Sequence, residues 1–217
     1  MEEREKRLVI FDVDGTLYRA ELVSFPAYRK LAGEFGFAEP SEALMRTFFG
    51  ENFQVIAEKL GLSDDPEVSA AFLRRIEQVE YDLVKPCGAL FDGVYAQLER
   101  LYREGYTLAL CSMGLQSYVE RMMECTGIGR FISAYRVDDG VHTKSEMCAE
   151  LLAELPHRRA VFGGDRRHDR QAAADNGLGF VGCLYGFVPG EVEDAPVLAA
   201  EPGELCEKIE QAFALLD

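Results

Sequence analysis

Asp12 and Asp14 stand one residue apart at the end of the apolar run Leu8-Val9-Ile10-Phe11, and Gly15-Thr16-Leu17 follows them. Two carboxylates so placed can divide their work when their surroundings push the two pKa values apart. Asp12 can act as nucleophile and metal ligand. Asp14 can act as general acid and base, with its backbone carbonyl also reaching a metal. Gly15 permits backbone angles that other residues resist, and Thr16 offers a hydroxyl to fix the turn. Further along, Ser112 and Asp165 each follow another apolar run, and Lys144 stands at the start of a capped segment. Carboxylates, a hydroxyl and an ammonium brought to one place make a Mg²⁺ site beside a phosphate site. Mg²⁺ takes carboxylate, carbonyl and water oxygens and bridges to substrate phosphate. A helix N-terminus adds N–H groups and the positive end of its dipole. Ser112 can donate to a phosphate oxygen, with the Met113 and Gly114 amides beside it.

The elements must then bring these residues to one edge. Leu8–Phe11 reads as a buried parallel strand. Helical signals follow it to about Lys85: Ser24-Phe25-Pro26 opens a helix that Gly36 ends, and Ser41 caps a second one through Phe49, stopped by Gly50. Asn52 to Leu60 is a third, and Asp65-Pro66 opens a fourth, with Lys85-Pro86-Cys87-Gly88 as the return linker. An α/β rhythm then resumes. Strands are expected at 106–111, 131–137, 159–164 and 179–185. Helices are expected at 94–103, 118–125, from the Thr143/Glu146 capping box to Leu155, around Ala172–Ala174, and at 204–216. The fold class is therefore α/β, a Rossmann-like parallel sheet flanked by helices, with right-handed crossovers. Residues 1–17 and 86–217 form the core, and 18–85 form an inserted all-helical domain. Asp12, Ser112 and Asp165 then share the carboxyl edge of the sheet, where open α/β folds bind ligands.

Composition narrows the function. The chain has 217 residues and a net charge of −15, which argues against nucleic acid as a partner. No run approaches transmembrane length, and a charged N-terminus leads straight into a strand, so the expected location is the cytoplasm. The six cysteines are scattered without a CxxC pair. Most of them read as small buried hydrophobes, and no spacing marks disulfides or zinc ligands.

Four motifs, in this order and spacing, resemble those of the haloacid dehalogenase (HAD) superfamily. They are DVDGTL at Asp12–Leu17, the strand-terminal Ser112, Lys144 at a helix start, and GDRRHD at Gly164–Asp169. The helical insertion resembles that family's C1 cap, and the segment from Gly164 to Phe187 resembles the phosphoglycolate phosphatase-like subgroup. The resemblance implies that Asp12 forms an aspartyl-phosphate and that Asp14 protonates the leaving alcohol and then activates water. It implies that Ser112 and Lys144 hold the phosphoryl group. It also implies Mg²⁺ on Asp12, the Asp14 carbonyl and Asp165, with Asp169 as a further ligand or as partner to Lys144. The expected substrate is a small phosphorylated metabolite, phosphoglycolate by subgroup. A sugar-phosphate mutase, a nucleotide 5′-phosphatase and a silent binding scaffold are the other readings.

The chain departs from the family pattern at two places. Tyr18-Arg19-Ala20 stand where relatives often carry an acid and a serine, and Met113 stands where an asparagine is common. Arg19 is thereby a candidate contact for a second anionic group on the substrate. Arg46, Glu51, Asn52 and Gln54 are candidate contacts from the insertion. His168 reads as an exposed helix-start residue, because Mg²⁺ selects oxygen. Nothing in the sequence fixes the oligomeric state.

Overall fold

The structure, a computed structural model, describes residues 7–62 and 65–216. Among these residues six strands form one parallel sheet: β1 (Arg7–Phe11), β2 (Thr107–Cys111), β3 (Ile132–Arg136), β4 (Arg159–Gly164), β5 (Gly179–Cys183) and β6 (Leu198–Ala199). Their spatial order is β3-β2-β1-β4-β5-β6. Strand alternation sends neighbouring side chains to opposite faces. Leu8 and Ile10 therefore join the cluster built with helices α7 (Lys144–Glu154) and α8 (Arg167–Asp175). Val9 and Phe11 join the opposite cluster, built with α5 (Val94–Arg103), α6 (Gln116–Thr126) and α9 (Leu205–Ala214). Both faces of β1 are covered, which is why its sequence is apolar without alternation. Each such side chain contributes ~1.5–3 kcal/mol through burial.

Between β1 and α5 lie four helices: α1 (Glu21–Phe35), α2 (Glu42–Arg46), α3 (Phe53–Leu60) and α4 (Pro66–Cys87). They pack on a third cluster of their own. Its centre is Phe72, 1% exposed, with the rings of Tyr28, Phe35, Phe37 and Phe53 around it. The expected caps are present. Ser41 accepts from Leu44 N, Asn52 from Val55 N, and Gly36 and Gly61 close their helices in the left-handed region.

Several boundaries differ from the sequence reading. Helix α1 begins at Glu21, before Ser24, and holds Pro26 within its second turn. That proline withholds only the bond to the Leu22 carbonyl, and the N–H groups of Leu22, Val23 and Ser24 before it are all bonded. Helix α2 ends at Arg46, short of Phe49. Thr47 N bonds Leu44 O at 3.0 Å and Phe48 N bonds Met45 O at 3.0 Å, so the chain tightens into three-residue turns. The expected linker at Lys85-Pro86-Cys87 is instead the last turn of α4, and only Gly88 leaves the helix. The short strand β6 carries no periodic signal over its two residues, and the sequence reading has nothing there. Four cysteines are buried, Cys87 and Cys125 are exposed, and all are free thiols. No helix among the described residues is long and apolar enough to cross a membrane.

Candidate active site

Asp12, Ser112 and Asp165 are each the first residue past a strand, β1, β2 and β4 respectively. Those strands are neighbours, so the three residues lie side by side at the carboxyl edge. The chain leaves β1 toward β2 and β3, then returns to the other side of β1 as β4. That reversal opens a crevice at the β1/β4 junction, and Asp12 N donates to Gly163 O across it at 2.9 Å.

Lys144 links the carboxylates. Its Nζ lies 2.5 Å from Asp12 Oδ1 and 2.5 Å from Asp169 Oδ1. The capping box of Thr143 and Glu146 fixes the start of α7 and hence the reach of this lysine. Asp169 Oδ2 accepts from Arg166 N at 2.9 Å, which holds the start of α8 against the same lysine. Of the roles open to Asp169, this geometry displays that of partner to Lys144. The Thr16 hydroxyl lies 3.2 Å from Asp12 Oδ2 and 3.4 Å from Asp165 Oδ1 and ties the two acids together. Phe187 N donates to Asp165 Oδ2 at 2.7 Å. Gly15 has φ +91°, and a Cβ there would lie 2.5 Å from Asp165 Oδ2. The glycine is needed both for its angle and for the space it leaves to the carboxylate.

Asp12, Asp165 and Asp169 are buried, and each offers an oxygen within 4.8 Å of the others. Burial pushes the Asp12 carboxyl up, the Asp169 charge adds to this, and Lys144 opposes it; the result is about 6. Burial, with the Asp12 charge, pushes Asp14 up to about 8. Asp165 is raised well above the usual carboxylate range by burial and by Asp12 and Asp169. Burial alone would lower Lys144, but Asp12 and Asp169 outweigh it and keep the ammonium charged. The set is rich in carboxylates and all-oxygen, which fits a hard divalent cation such as Mg²⁺.

Asp12, Asp14, Met113, Gly114 and Lys144 line one cavity of about 110 Å³ between the sheet edge and helices α1, α3 and α4. Ser112 is buried beside it, and its Oγ accepts from Gly114 N at 2.9 Å. The Gly114 amide thus donates to Ser112, while Gly114 itself lines the cavity. The bond leaves the Ser112 hydroxyl hydrogen to donate. Arg19 does not join the site. It pairs with Glu21 at 3.0 Å and lines a separate surface groove. Arg46 also lines that groove, over the rings of Phe25 and Phe187. Asn52 is occupied as a helix cap, and Gln54 bonds Glu58 on the surface.

Of the insertion candidates, Glu51 reaches the cavity. It also pairs with Arg167 at 2.6 Å and lies 3.5 Å from His168 Nε2. His168 is therefore half-buried against Glu51, where the sequence reading had it exposed. The same seam holds Phe49 stacked on Phe187 at 3.9 Å, and Arg166 bonded to Phe49 O and to Glu191. Phe187 thus touches the helical layer with its ring and Asp165 with its amide.

Sequence reasoning missed Tyr118, whose hydroxyl donates to Asp14 Oδ1 at 2.8 Å. It also missed Glu80 on α4, a cavity residue. Neither sits in a motif; both lie on helices that only the folded chain brings to the sheet edge.

Residues 9–183 match the family described as haloacid dehalogenase-like hydrolase. A phosphoglycolate phosphatase of Vibrio cholerae is 26% identical over 215 residues, spanning 94% of this chain and 93% of that protein. Among solved structures, one described as a predicted phosphatase from Clostridium acetobutylicum is similar with a TM-score of 0.84, at 20% identity over 95% of this chain and 99% of that one. CbbY from Rhodobacter sphaeroides, solved in complex with phosphate, is similar with a TM-score of 0.79, at 21% identity over 94% and 98%. At such identities the structural likeness speaks for the fold.

Proposed function

The chain belongs to the haloacid dehalogenase-like hydrolases and is a phosphatase, and from that premise we propose that it hydrolyses small phosphate monoesters through a phosphoryl group carried on Asp12. The observation that carries this reading is the convergence of Asp12, Asp165 and Asp169 around Lys144 at the carboxyl edge of the sheet. In the first step an Asp12 oxygen bonds to phosphorus as the bond to the leaving oxygen breaks, and Asp14 gives that oxygen its proton. Burial keeps Asp14 protonated near neutrality, the form this step requires. In the second step Asp14 takes a proton from water, the water oxygen bonds to phosphorus, and the bond to Asp12 breaks. Lys144 and the Ser112 hydroxyl hold the phosphoryl oxygens throughout, beside the Met113 amide.

Asp12, the Asp14 backbone carbonyl and Asp165 would hold Mg²⁺, with Asp169 steadying Lys144 alongside. When bound, the ion neutralises charge on the phosphoryl oxygens. Residues 18–85 serve as a cap over the core of 1–17 and 86–217, and their seam along Glu51 and Phe49 excludes water from the reacting atoms. Phosphoglycolate enters as a candidate ester through the name of the Vibrio cholerae relative.

The test is inorganic phosphate release from a panel of phosphoglycolate, nucleoside monophosphates, sugar phosphates and an aryl phosphate, with Mg²⁺ and with EDTA. Release should require the metal and be lost in Asp12→Asn. Undiminished release by Asp12→Asn, or with EDTA, would contradict the proposal.

A further inference from the structure

The cavity has two ends of different character. At the sheet edge are Asp12, Asp14 and Lys144. At the other, the walls are aromatic and aliphatic, including Tyr28, Phe48, Phe53, Phe72 and Ile76. Into this apolar end α4 sets Glu80. Ser24 lines the same cavity, and no salt bridge pairs a cation with Glu80 among the described residues. Asp14, the acid that serves the leaving oxygen, lines the same cavity, with Tyr118 and Tyr28. A half-buried carboxylate in an apolar wall, with no salt-bridge partner, keeps acceptor capacity for a ligand.

The cations that border the cavity are Lys144 and Arg166. Lys144 is shared between Asp12 and Asp169, and Arg166 is taken by Glu191 and the Phe49 carbonyl. Asp138 adds further negative charge to the walls, while Glu51 is paired with Arg167. Arg19, the residue that could have met a second anion, faces a different groove. A carboxylate on the leaving group would therefore be desolvated beside Glu80 with no cation of its own.

We propose that the substrate's leaving alcohol carries a hydrogen-bond donor, an ammonium or a hydroxyl, that Glu80 accepts, and that the cavity selects against a leaving group bearing a carboxylate. This rests on the phosphatase reading above and deepens it. The aromatic walls suit an ammonium as well, since ring faces attract cations.

The test uses the Mg²⁺-loaded full chain and three two-carbon esters that differ at one end: phosphoethanolamine, ethylene glycol monophosphate and phosphoglycolate. An aryl phosphate serves as the reference. The first two should exceed phosphoglycolate in kcat/KM by about tenfold or more, the size of one charged hydrogen bond. Glu80→Gln should shrink the ratio of phosphoethanolamine to phosphoglycolate by a similar factor, chiefly through KM. Phosphoglycolate turned over at least as well as the other two overturns the inference while leaving the phosphatase reading intact, and so does an unmoved ratio in a folded Glu80→Gln. The order of substrates in the unaltered chain reads the proposal even if that variant does not fold. Failure to hydrolyse any ester, the aryl phosphate included, would overturn the phosphatase reading itself and the inference with it.

Discussion

Asp14 is where burial becomes chemistry. Its carboxyl is raised to about 8 by burial and by Asp12, and the Tyr118 hydroxyl opposes that rise by bonding the charged form. Removing the bond in Tyr118→Phe should raise the Asp14 pKa further. The first step needs Asp14 protonated, so the alkaline limb of the kcat pH profile should move to higher pH. A limb that stays put would remove Asp14 from the role of acid. Asp14→Asn should lower kcat by about 10²–10⁴-fold, the usual worth of a positioned acid and base. The acids themselves were legible in the sequence because each ends an apolar run. Tyr118 and Glu80 were not, since each sits in an ordinary helical pattern and acquires its meaning from what faces it. Arg19 shows the converse: its position near the first motif suggested a role, but Glu21, two residues on, takes its charge.

Elements set the precision with which these groups meet. The capping box at Thr143 and Glu146 was readable from spacing alone, and it anchors the helix whose first residue is Lys144. Thr143→Ala should cost about 1 kcal/mol of stability, measured by denaturant unfolding, and should raise KM by loosening the lysine. The seam between helices and sheet was not readable, because Glu51 and Phe49 find partners more than a hundred residues away in Arg167 and Phe187. Phe49→Ala should raise KM while leaving the cluster around Phe72 folded. Phe72→Ala, by contrast, should cost about 3–5 kcal/mol by emptying that cluster. If Phe49→Ala left KM unchanged in a folded protein, the seam would have no part in closing the site. Boundaries failed where prolines were taken as edges. Pro26 and Pro86 lie inside their helices, in the second turn of α1 and the last turn of α4, where each gives up a single ladder bond.

For the whole molecule, the crowded acids tie stability to pH. Asp14, Glu80 and Asp12 are raised to about 8, about 7 and about 6. Across the span from the ordinary carboxylate range to those values, the folded chain binds more protons than the unfolded one. Stability from these groups is full below the unfolded pKa and is lost as pH rises toward the folded one. The metal-free protein should therefore show Tm falling between about pH 5 and pH 8, the window these shifts define. Mg²⁺ should raise Tm, and more at the upper end, where the ligand carboxylates are charged. A metal-free Tm that rises across that window, or Mg²⁺ stabilisation that is greater at pH 5, would contradict this electrostatic account. The sheet that creates the crowding was legible at the level of strand and helix alternation. Its order, with the reversal between β1 and β4, is what gathers Asp12, Ser112 and Asp165 at one edge.

The most direct test of the central claim is to trap the phosphoenzyme. Mg²⁺-loaded protein would be mixed with a turned-over ester, quenched in acid within one turnover, digested and weighed. A phosphoryl group on the peptide containing Asp12, labile to hydroxylamine and missing in Asp12→Asn, is the expected result. Product formed within that turnover with Asp12 unmodified, or with the label on another residue, would contradict it.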